Sequence, residues 1–156
     1  MITGHSQDYY AFSDLSKVQG GIFLAGPTPR DAATPSWRPQ ALEIIRRTFS
    51  GPVFIPETGD GVWKDDYDGQ VDWEWHGLDL ANVILFWVPR ELKHMPAMTT
   101  NVEFGYKVSS PTQYCVLGYP EGAPKMKYLH KLAQRHSVLI RHTLESTIQT
   151  AIDLAR

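Results

Sequence analysis

Five short apolar runs stand out along the chain, and each is almost continuously hydrophobic rather than alternating between apolar and polar positions. They occupy residues 21–25, 52–55, 83–88, 113–117 and 137–140. Continuous apolar runs of this length are typical of strands that are buried on both faces of a parallel sheet. The pattern therefore predicts five central β-strands.

The segments between these runs carry the spacing and the start signals of α-helices. In the first segment, Ser36 is a candidate N-cap, Pro39 lies in the first turn, and apolar residues recur at helical spacing. The predicted helices cover residues 37–49, 70–82, 99–109, 124–136 and 143–155. Strand and helix thus alternate five times.

This alternation favours an α/β fold, with a doubly wound parallel sheet, helices on both faces and right-handed crossovers. We expect the flavodoxin-like strand order 2-1-3-4-5 in a single domain over residues 1–156, with residues 1–20 as an N-terminal extension. Ligands bind such sheets where the strand order reverses, beyond the carboxyl ends of the first and third predicted strands. Loops 26–36 and 89–98 should therefore bound the site, and loop 57–69 is a third long loop.

Composition and charge exclude several classes of protein. The chain has 156 residues with 15 Lys+Arg against 17 Asp+Glu, whereas domains that bind nucleic acid phosphates have a basic excess. No apolar run approaches the roughly 18 residues of a membrane span, and residues 1–15 lack the basic and apolar regions of a signal peptide. The single cysteine, Cys115, fits a reducing compartment. We therefore expect a cytoplasmic protein that binds neither nucleic acid nor membranes.

The sequence lacks the patterns that hold metals and common cofactors. Its six histidines form no H-x-x-x-H pair and have no partner cysteines. Neither a G-x-G-x-x-G fingerprint nor a G-x-x-x-x-G-K-[ST] loop is present. We expect no metal and no cofactor.

Two carboxylates are candidates for chemistry at the predicted crevice. Glu103 lies near the start of a predicted helix, where the dipole favours an ionised group that suits a nucleophile. A capping box with Thr99 or Thr100 is the structural alternative for Glu103. Glu74, between two tryptophans, should be partly desolvated, and its raised pKa would suit a general acid. For this residue taken alone, an exposed Glu beside a core Trp is the commoner arrangement. Two carboxylates with such different environments are used in glycosyl transfer.

The loop after the first predicted strand carries side chains that suit a nucleotide. Arg30 is a candidate partner for a phosphate or a sugar oxygen, and Trp37 is a candidate for stacking on a base. A surface arginine and an aromatic residue at a helix start are the ordinary structural interpretations of the same pattern. His94 is the one histidine in a loop beside the crevice.

Three segments resemble the nucleoside 2-deoxyribosyltransferase superfamily, and most closely its nucleoside 2-deoxyribosyltransferase-like branch. They are IFLAGPTPR at the first predicted strand, LANVILFWVP at the third, and MTTNVEFGYKV at the following helix. The resemblance spans roughly residues 21–110. It implies cleavage or transfer at the N-glycosidic bond of a (deoxy)nucleoside or a nucleoside 5′-monophosphate, through a glycosyl-enzyme intermediate.

The same resemblance implies roles for the carboxylates. Glu103 takes the position of the nucleophile, and Glu74 takes that of an acidic residue in the preceding helix, with Asp72 as the alternative if the match carries a one-residue gap. Asn82 stands where the family usually has Asp, and residues 97–98 occupy a region where another Asp is frequent.

Substrate contacts are implied in two segments. In the first loop they fall on Gly26 and Pro27, which open the substrate loop, and on Thr28, Arg30 and Ser36, which would bind the phosphate of a nucleoside 5′-monophosphate. At the later helix they fall on Thr99, Thr100 and Asn101, which would contact the sugar itself.

Two other functions remain compatible with the sequence. One is a nucleotide-binding sensor without catalysis, because a fold does not fix a function. The other is an NAD glycohydrolase, which also breaks a ribosyl C–N bond. The resemblance further implies a homodimer or a larger homo-oligomer, and the 5 Trp, 7 Tyr and 6 Phe support this, since several lie on segments expected near the crevice rim. Those rim aromatics are Trp37, Trp63, Trp73, Trp75 and Phe104.

Overall fold

A computed structural model describes residues 7–156, which form a six-stranded parallel sheet and five helices. The strands are β1 (Gln7–Tyr10), β2 (Ile22–Ala25), β3 (Pro52–Ile55), β4 (Val83–Trp87), β5 (Tyr114–Gly118) and β6 (Leu139–Arg141). The helices are α1 (Arg38–Ile45), α2 (Tyr67–Leu80), α3 (Met98–Lys107), α4 (Lys127–Arg135) and α5 (Leu144–Ala155). The predicted α/β class is confirmed.

The sheet has one strand more than the sequence predicted. Its order is β1-β3-β2-β4-β5-β6, and each neighbouring pair is parallel. β1 comes from the predicted N-terminal extension and pairs with the outer side of β3, with Tyr9 opposite Phe54. The prediction of five strands ordered 2-1-3-4-5 is therefore wrong in strand number. The pattern missed β1 because its sequence, QDYY, is not a continuous apolar run.

Two hydrophobic cores cover the two faces of the sheet. Alternate residues of a strand point to opposite faces, so Phe23 of β2 packs in the core with α2, α3 and α4. Its neighbours Ile22 and Leu24 pack in the core with α1 and α5. Burial on both faces explains why the central strands are continuously apolar in sequence.

The starts of two helices differ from the predicted ones. In α1 the N-cap position belongs to Trp37, and Ser36 lies one residue earlier, where its Oγ accepts a hydrogen bond from the N–H of Arg38 at 3.2 Å. In α3 the N-cap is Ala97, which adopts a left-handed conformation with φ 58° and provides no side-chain cap. The capping box considered for Glu103 is therefore not formed, and Glu103 lies in the second turn of α3.

The loops that follow β2 and β4 meet at the carboxyl end of the sheet. The two strands are neighbours, but β2 leads into α1 on one face whereas β4 leads into α3 on the other. The N–H of Arg30 donates a hydrogen bond to the carbonyl oxygen of His94 at 3.1 Å, and Asp31 Oδ2 lies 2.6 Å from His94 Nδ1. These contacts tie the two loops together above the point where the strand order reverses. Over residues 7–156, the helices are too short or too polar to cross a membrane.

Candidate active site

A buried arginine, Arg38, organises the carboxyl ends of β2 and β3. The residue is 1% exposed. Its Nε donates a hydrogen bond to the carbonyl oxygen of Leu24 at 3.0 Å, and its Nη2 donates to that of Gly26 at 2.7 Å. Its Nη1 donates to Thr28 Oγ1 at 2.9 Å and to Glu57 Oε2 at 3.1 Å. The guanidinium thus fixes the loop after β2 and joins it to the loop after β3.

The predicted substrate loop is built tightly around this arginine. Ser36 Oγ donates a hydrogen bond to Glu57 Oε2 at 2.7 Å, and Trp37 Nε1 donates to the carbonyl oxygen of Pro27 at 3.0 Å. Gly26 has φ 141°, and a Cβ there would lie 2.1 Å from a backbone oxygen of β4, so the position requires glycine. Trp37 is buried with its indole ring 4.8 Å from the Arg38 guanidinium carbon, so stacking on a base would require this loop to move.

The two candidate carboxyls, Glu103 of α3 and Glu74 of α2, lie close enough for their charges to interact with each other and with Arg38. Burial raises the pKa of Glu103 to about 8, the charge of Glu74 adds to the rise, and Arg38 opposes it. Burial also raises the pKa of Glu74. The hydrogen bond donated by Gln70 Nε2 to Glu74 Oε1, at 2.8 Å, and the charge of Arg38 both oppose that rise.

The ionisation state of Glu103 at neutral pH differs from the one predicted from the sequence. The sequence placed it near the first turn of a helix, where the dipole would keep it ionised at neutral pH. The dipole effect falls off within the first turn, whereas Glu103 lies in the second turn and is desolvated, which favours the protonated form. The prediction of an ionised Glu103 is therefore wrong for the free protein. The raised pKa predicted for Glu74 is confirmed.

Other predicted site residues lie at the surface or face another element. Asp72 is exposed on α2, and its charge is not among the causes of the raised Glu103 pKa. Arg30 and Thr99 are also exposed, whereas Thr100 is buried. Asn101 Oδ1 accepts a hydrogen bond from Nη2 of Arg90 and lines a cleft between α3 and α4.

Asn82, which stands where the resembled family usually has Asp, connects three strands. Its Oδ1 accepts a hydrogen bond from the N–H of Gly21 at 2.9 Å, and its carbonyl oxygen accepts one from the N–H of Tyr114 at 3.0 Å. These bonds join the starts of β2, β4 and β5 at the end of the sheet opposite the carboxyl ends. The side chain therefore serves the fold.

Sequence reasoning did not assign roles to Arg38 and Glu57. A signal for Arg38 was present, because it precedes Leu42 and Ile45 by four and seven residues and so occupies the apolar stripe of α1. A charged residue at a core position needs hydrogen-bonding partners. Glu57 gave no comparable signal, since its pairing with Arg38 depends on the folded positions of two loops.

A cavity of about 210 Å³ opens beside this arrangement, between the loops after β2 and β3. Within the part of the chain that the structure describes, its polar lining includes the side chains of Asp31 and Glu57 but no lysine or arginine. The volume is smaller than the roughly 300 Å³ at which small-molecule pockets begin, so the cavity suits one part of a ligand, such as a sugar. Among residues 7–156, no three side chains of His, Cys, Asp or Glu are grouped to hold a metal ion.

Comparison with protein families gives one match. A family model described as nucleoside 2-deoxyribosyltransferase like matches residues 19–122. The matched region is more than half of the chain and contains β2 to β5, the arginine-centred loops, Glu74 and Glu103. A search of curated proteins gave no match. The chain belongs to the nucleoside 2-deoxyribosyltransferase-like family.

Proposed function

We propose that this protein cleaves the N-glycosidic bond of a nucleoside, with Glu103 as the nucleophile and Glu74 as the general acid. One observation carries the proposal: two desolvated carboxyls whose charges interact lie beside Arg38 in a member of this family. Desolvating a carboxyl costs free energy, and groups with strongly shifted pKa values concentrate at functional sites. A purely structural role would not explain two such groups on facing helices.

In the first step, an ionised oxygen of Glu103 attacks the anomeric carbon. A C1′–O bond forms while the C1′–N bond breaks, and the electron pair of the broken bond passes to the base. Glu74 donates a proton to the departing base. This produces a glycosyl-enzyme with the sugar esterified to Glu103.

In the second step, water or a second base attacks C1′, and the ester bond breaks. Glu103 leaves as a carboxylate, and the proton of the attacking water or base passes to Glu74. The free protein is thereby restored after hydrolysis or transfer, since the two acceptors differ only in what bonds to C1′.

The shifted pKa values determine which protonation state reacts. Because repulsion between Glu74 and Glu103 disfavours the doubly ionised state, the pair retains a proton as the pH approaches the raised pKa of Glu103. The reactive form has that proton on Glu74 and the negative charge on Glu103. The positive charge of Arg38 lowers the pKa of both carboxyls and therefore favours the singly ionised pair over the doubly protonated one.

The charge of the cavity lining favours a substrate with an uncharged sugar 5′-end. Two carboxylates, Asp31 and Glu57, line the cavity, and the nearby guanidinium of Arg38 is already paired with Glu57. A phosphate placed there would be repelled, whereas sugar hydroxyls can donate hydrogen bonds to carboxylates. We therefore place nucleosides ahead of nucleoside 5′-monophosphates as substrates.

We also propose that the protein forms a homodimer or a larger homo-oligomer. Three of the rim aromatics are buried, but Trp63 is 51% exposed and Trp75 is 60% exposed. Helix α3 also exposes an apolar side chain at every fourth residue. It lies next to α2, because Lys107 of α3 forms an ion pair with Asp79 of α2 at 2.7 Å. These α3 side chains are Met98, Val102 and Tyr106. A second subunit would cover such a surface.

Release of a free base tests the proposal directly. The protein is incubated with a panel of nucleosides, nucleoside 5′-monophosphates and NAD, each with and without an acceptor base, and the products are separated by chromatography. Base release from a nucleoside supports the proposal, whereas release of nicotinamide from NAD alone would assign an NAD glycohydrolase. If ligands raise the melting temperature and no bond is cleaved, the protein is a sensor and the proposal fails.

The covalent step has its own test. A 2-fluorinated nucleoside slows the breakdown of a glycosyl-enzyme, so mass spectrometry should detect a sugar-sized adduct on the peptide that contains Glu103. An adduct on another residue, or turnover without any adduct in the wild-type protein, would remove Glu103 from the role of nucleophile.

A further inference from the structure

A second cleft, of about 450 Å³, lies between α3 and α4. It is distinct from the candidate active site, because Glu103 interacts with α2 and Arg38, whereas the cleft is formed with α4. Its volume is in the range of roughly 300–1,000 Å³ that is typical of small-molecule sites. Its apolar lining comes from Phe104, Leu129 and Leu132, and Tyr128 lies beside them.

Arg90, which lines this cleft, is a buried cation that has no carboxylate partner among residues 7–156. The residue is 6% exposed. Its Nη1 donates a hydrogen bond to the carbonyl oxygen of Lys125 at 3.0 Å, and its Nη2 donates to Asn101 Oδ1. Its Nε is buried and has no partner in the described chain. A buried charge that lacks a counter-ion costs free energy, and an anionic ligand would offset that cost.

Two lysines increase the positive charge at the same place. Lys125 and Lys127 both line the cleft, and within residues 7–156 neither forms an ion pair with a carboxylate. Lys125 has φ 59°, a left-handed conformation that is unfavourable for a residue other than glycine. The backbone is thus strained at Lys125, the residue whose carbonyl oxygen accepts the hydrogen bond from Arg90. Backbone outliers of this kind are concentrated at ligand sites.

We propose that the α3–α4 cleft binds a small molecule that carries an anionic group on a flat apolar ring system. The anion lies between Arg90 and Lys127, and the ring packs against Tyr128 and Leu132. Phosphate and carboxylate groups share the required charge and acceptor geometry. The proposal does not depend on the proposed function, because the cleft shares no lining residue with the Arg38, Glu74 and Glu103 group.

Three ring compounds test the site by isothermal titration calorimetry with the full chain. They are 1-naphthyl phosphate, 1-naphthoate and the neutral 1-naphthalenemethanol, and the first two distinguish the two anion types. At least one anion should bind about tenfold or more tightly than the neutral compound, which is the effect of one charge-assisted contact. Equal affinity for all three, or no saturable binding of either anion, would overturn the proposal.

Matched variants locate the site. Lys127→Ala should weaken binding of the anion about fivefold or more, whereas Lys131→Ala, on the exposed surface of the same helix and outside the cleft, should leave it unchanged. Arg90→Met should abolish the preference for anions, and circular dichroism checks that this variant folds. If it does not fold, the comparison of the two lysine variants decides. Equal effects of those variants, or a loss of affinity in Glu103→Gln but not in Lys127→Ala, would place the compound elsewhere and contradict the proposal.

Discussion

Arg38 forms its ion pair with Glu57, at 3.1 Å, while Glu103 and Glu74 influence it only as more distant charges. The cation whose charge acts on both candidate catalytic carboxyls is therefore already partnered by a third carboxylate. This arrangement explains why both carboxyls keep raised pKa values although a buried arginine lies beside them.

Replacing Glu57 should destabilise the protein. Glu57→Gln keeps an acceptor for the hydrogen bonds of Ser36 and Arg38 but removes the charge that offsets the buried guanidinium. We expect a loss of about 1–3 kcal/mol in the free energy of unfolding, measured by urea titration. The control is Glu43→Gln, which breaks an exposed i,i+4 contact with Arg47 at 3.5 Å and should change stability by less than about 0.5 kcal/mol. Equal effects of the two substitutions would contradict the structural role of Glu57.

Replacing Glu103 should remove activity and increase stability. Glu103→Gln cannot attack C1′, so turnover of a confirmed substrate should fall by roughly 10³–10⁶-fold. The folded protein holds the Glu103 proton up to about pH 8, whereas the unfolded chain releases it near 4.5, so wild-type stability decreases as the pH rises through this window.

The glutamine variant avoids that loss of stability. Its gain over the wild type should therefore grow from pH 5 to pH 8, reaching on the order of 1–3 kcal/mol by thermal unfolding. Asp72→Asn, at an exposed position, serves as the control and should change neither activity nor stability. Wild-type turnover in Glu103→Gln would mean that the catalytic assignment is wrong.

The pH profile of activity should depend on Glu74. Because the reactive form carries one proton, on Glu74, kcat/KM should fall as the pH rises through about 8, where the pair loses its last proton. Glu74→Gln has no such proton to lose, so its reduced kcat/KM should instead rise with pH as Glu103 ionises and then level off. This rise should lie below pH 8, because the charge that raises the pKa of Glu103 is gone. Asp72→Asn should leave the wild-type profile unchanged. A fall near pH 8 that persists in Glu74→Gln would show that Glu74 does not hold the catalytic proton.

Nucleosides should be better substrates than their 5′-monophosphates. The carboxylates of Asp31 and Glu57 line the cavity, while the exposed Arg30 does not line it. We expect kcat/KM to be at least about tenfold higher for a nucleoside than for its monophosphate, which corresponds to one unfavourable charge contact. Arg30→Ala should then affect both compounds equally. A selective loss on the monophosphate would instead assign phosphate binding to Arg30.

The oligomer should depend on the exposed apolar residues of α2 and α3. The protein should elute above its monomer mass of 17.7 kDa in size-exclusion chromatography with light scattering at micromolar concentration. Val102→Asp places a charge on the exposed surface of α3 and should shift the protein to monomers, whereas Gln149→Asp on the exposed surface of α5 should not. A wild-type protein that is monomeric and fully active would overturn this prediction.

The sequence predicted best the strands that are buried on both faces of the sheet. It was wrong to predict a central strand at residues 137–140, since β6 lies at the edge of the sheet and is half-buried or exposed. The central strands lie within or close to the predicted ranges, because residues such as Phe23 and Leu24 are buried on opposite faces and leave a continuous apolar run. Helix ends were predicted less well, since α1 stops at Ile45 rather than Phe49. β1 was missed because an edge strand with half-buried, polar side chains carries no such pattern.

The site was predicted in part, because the chemistry of a carboxyl is set by what surrounds it. The raised pKa of Glu74 was predicted from its two neighbouring tryptophans, although Trp75 is 60% exposed in the structure. The state of Glu103 was not predicted, since it depends on the exact start of α3 and on a carboxyl of another helix. The pairing of Arg38 with Glu57 joins two loops and has no local signature in either segment.

β1 has a consequence for the solubility of the protein. The family match begins at residue 19, so this strand lies outside it, yet β1 covers the outer side of β3, where Tyr9 and Phe54 place their rings 6.1 Å apart. A chain cut at residue 19 would expose a row of unpaired N–H and C=O groups along an apolar strand, which is a template for pairing between molecules and for aggregation. The part of the chain that matches the family model therefore depends on β1, a strand outside the match, to cover the edge of its sheet.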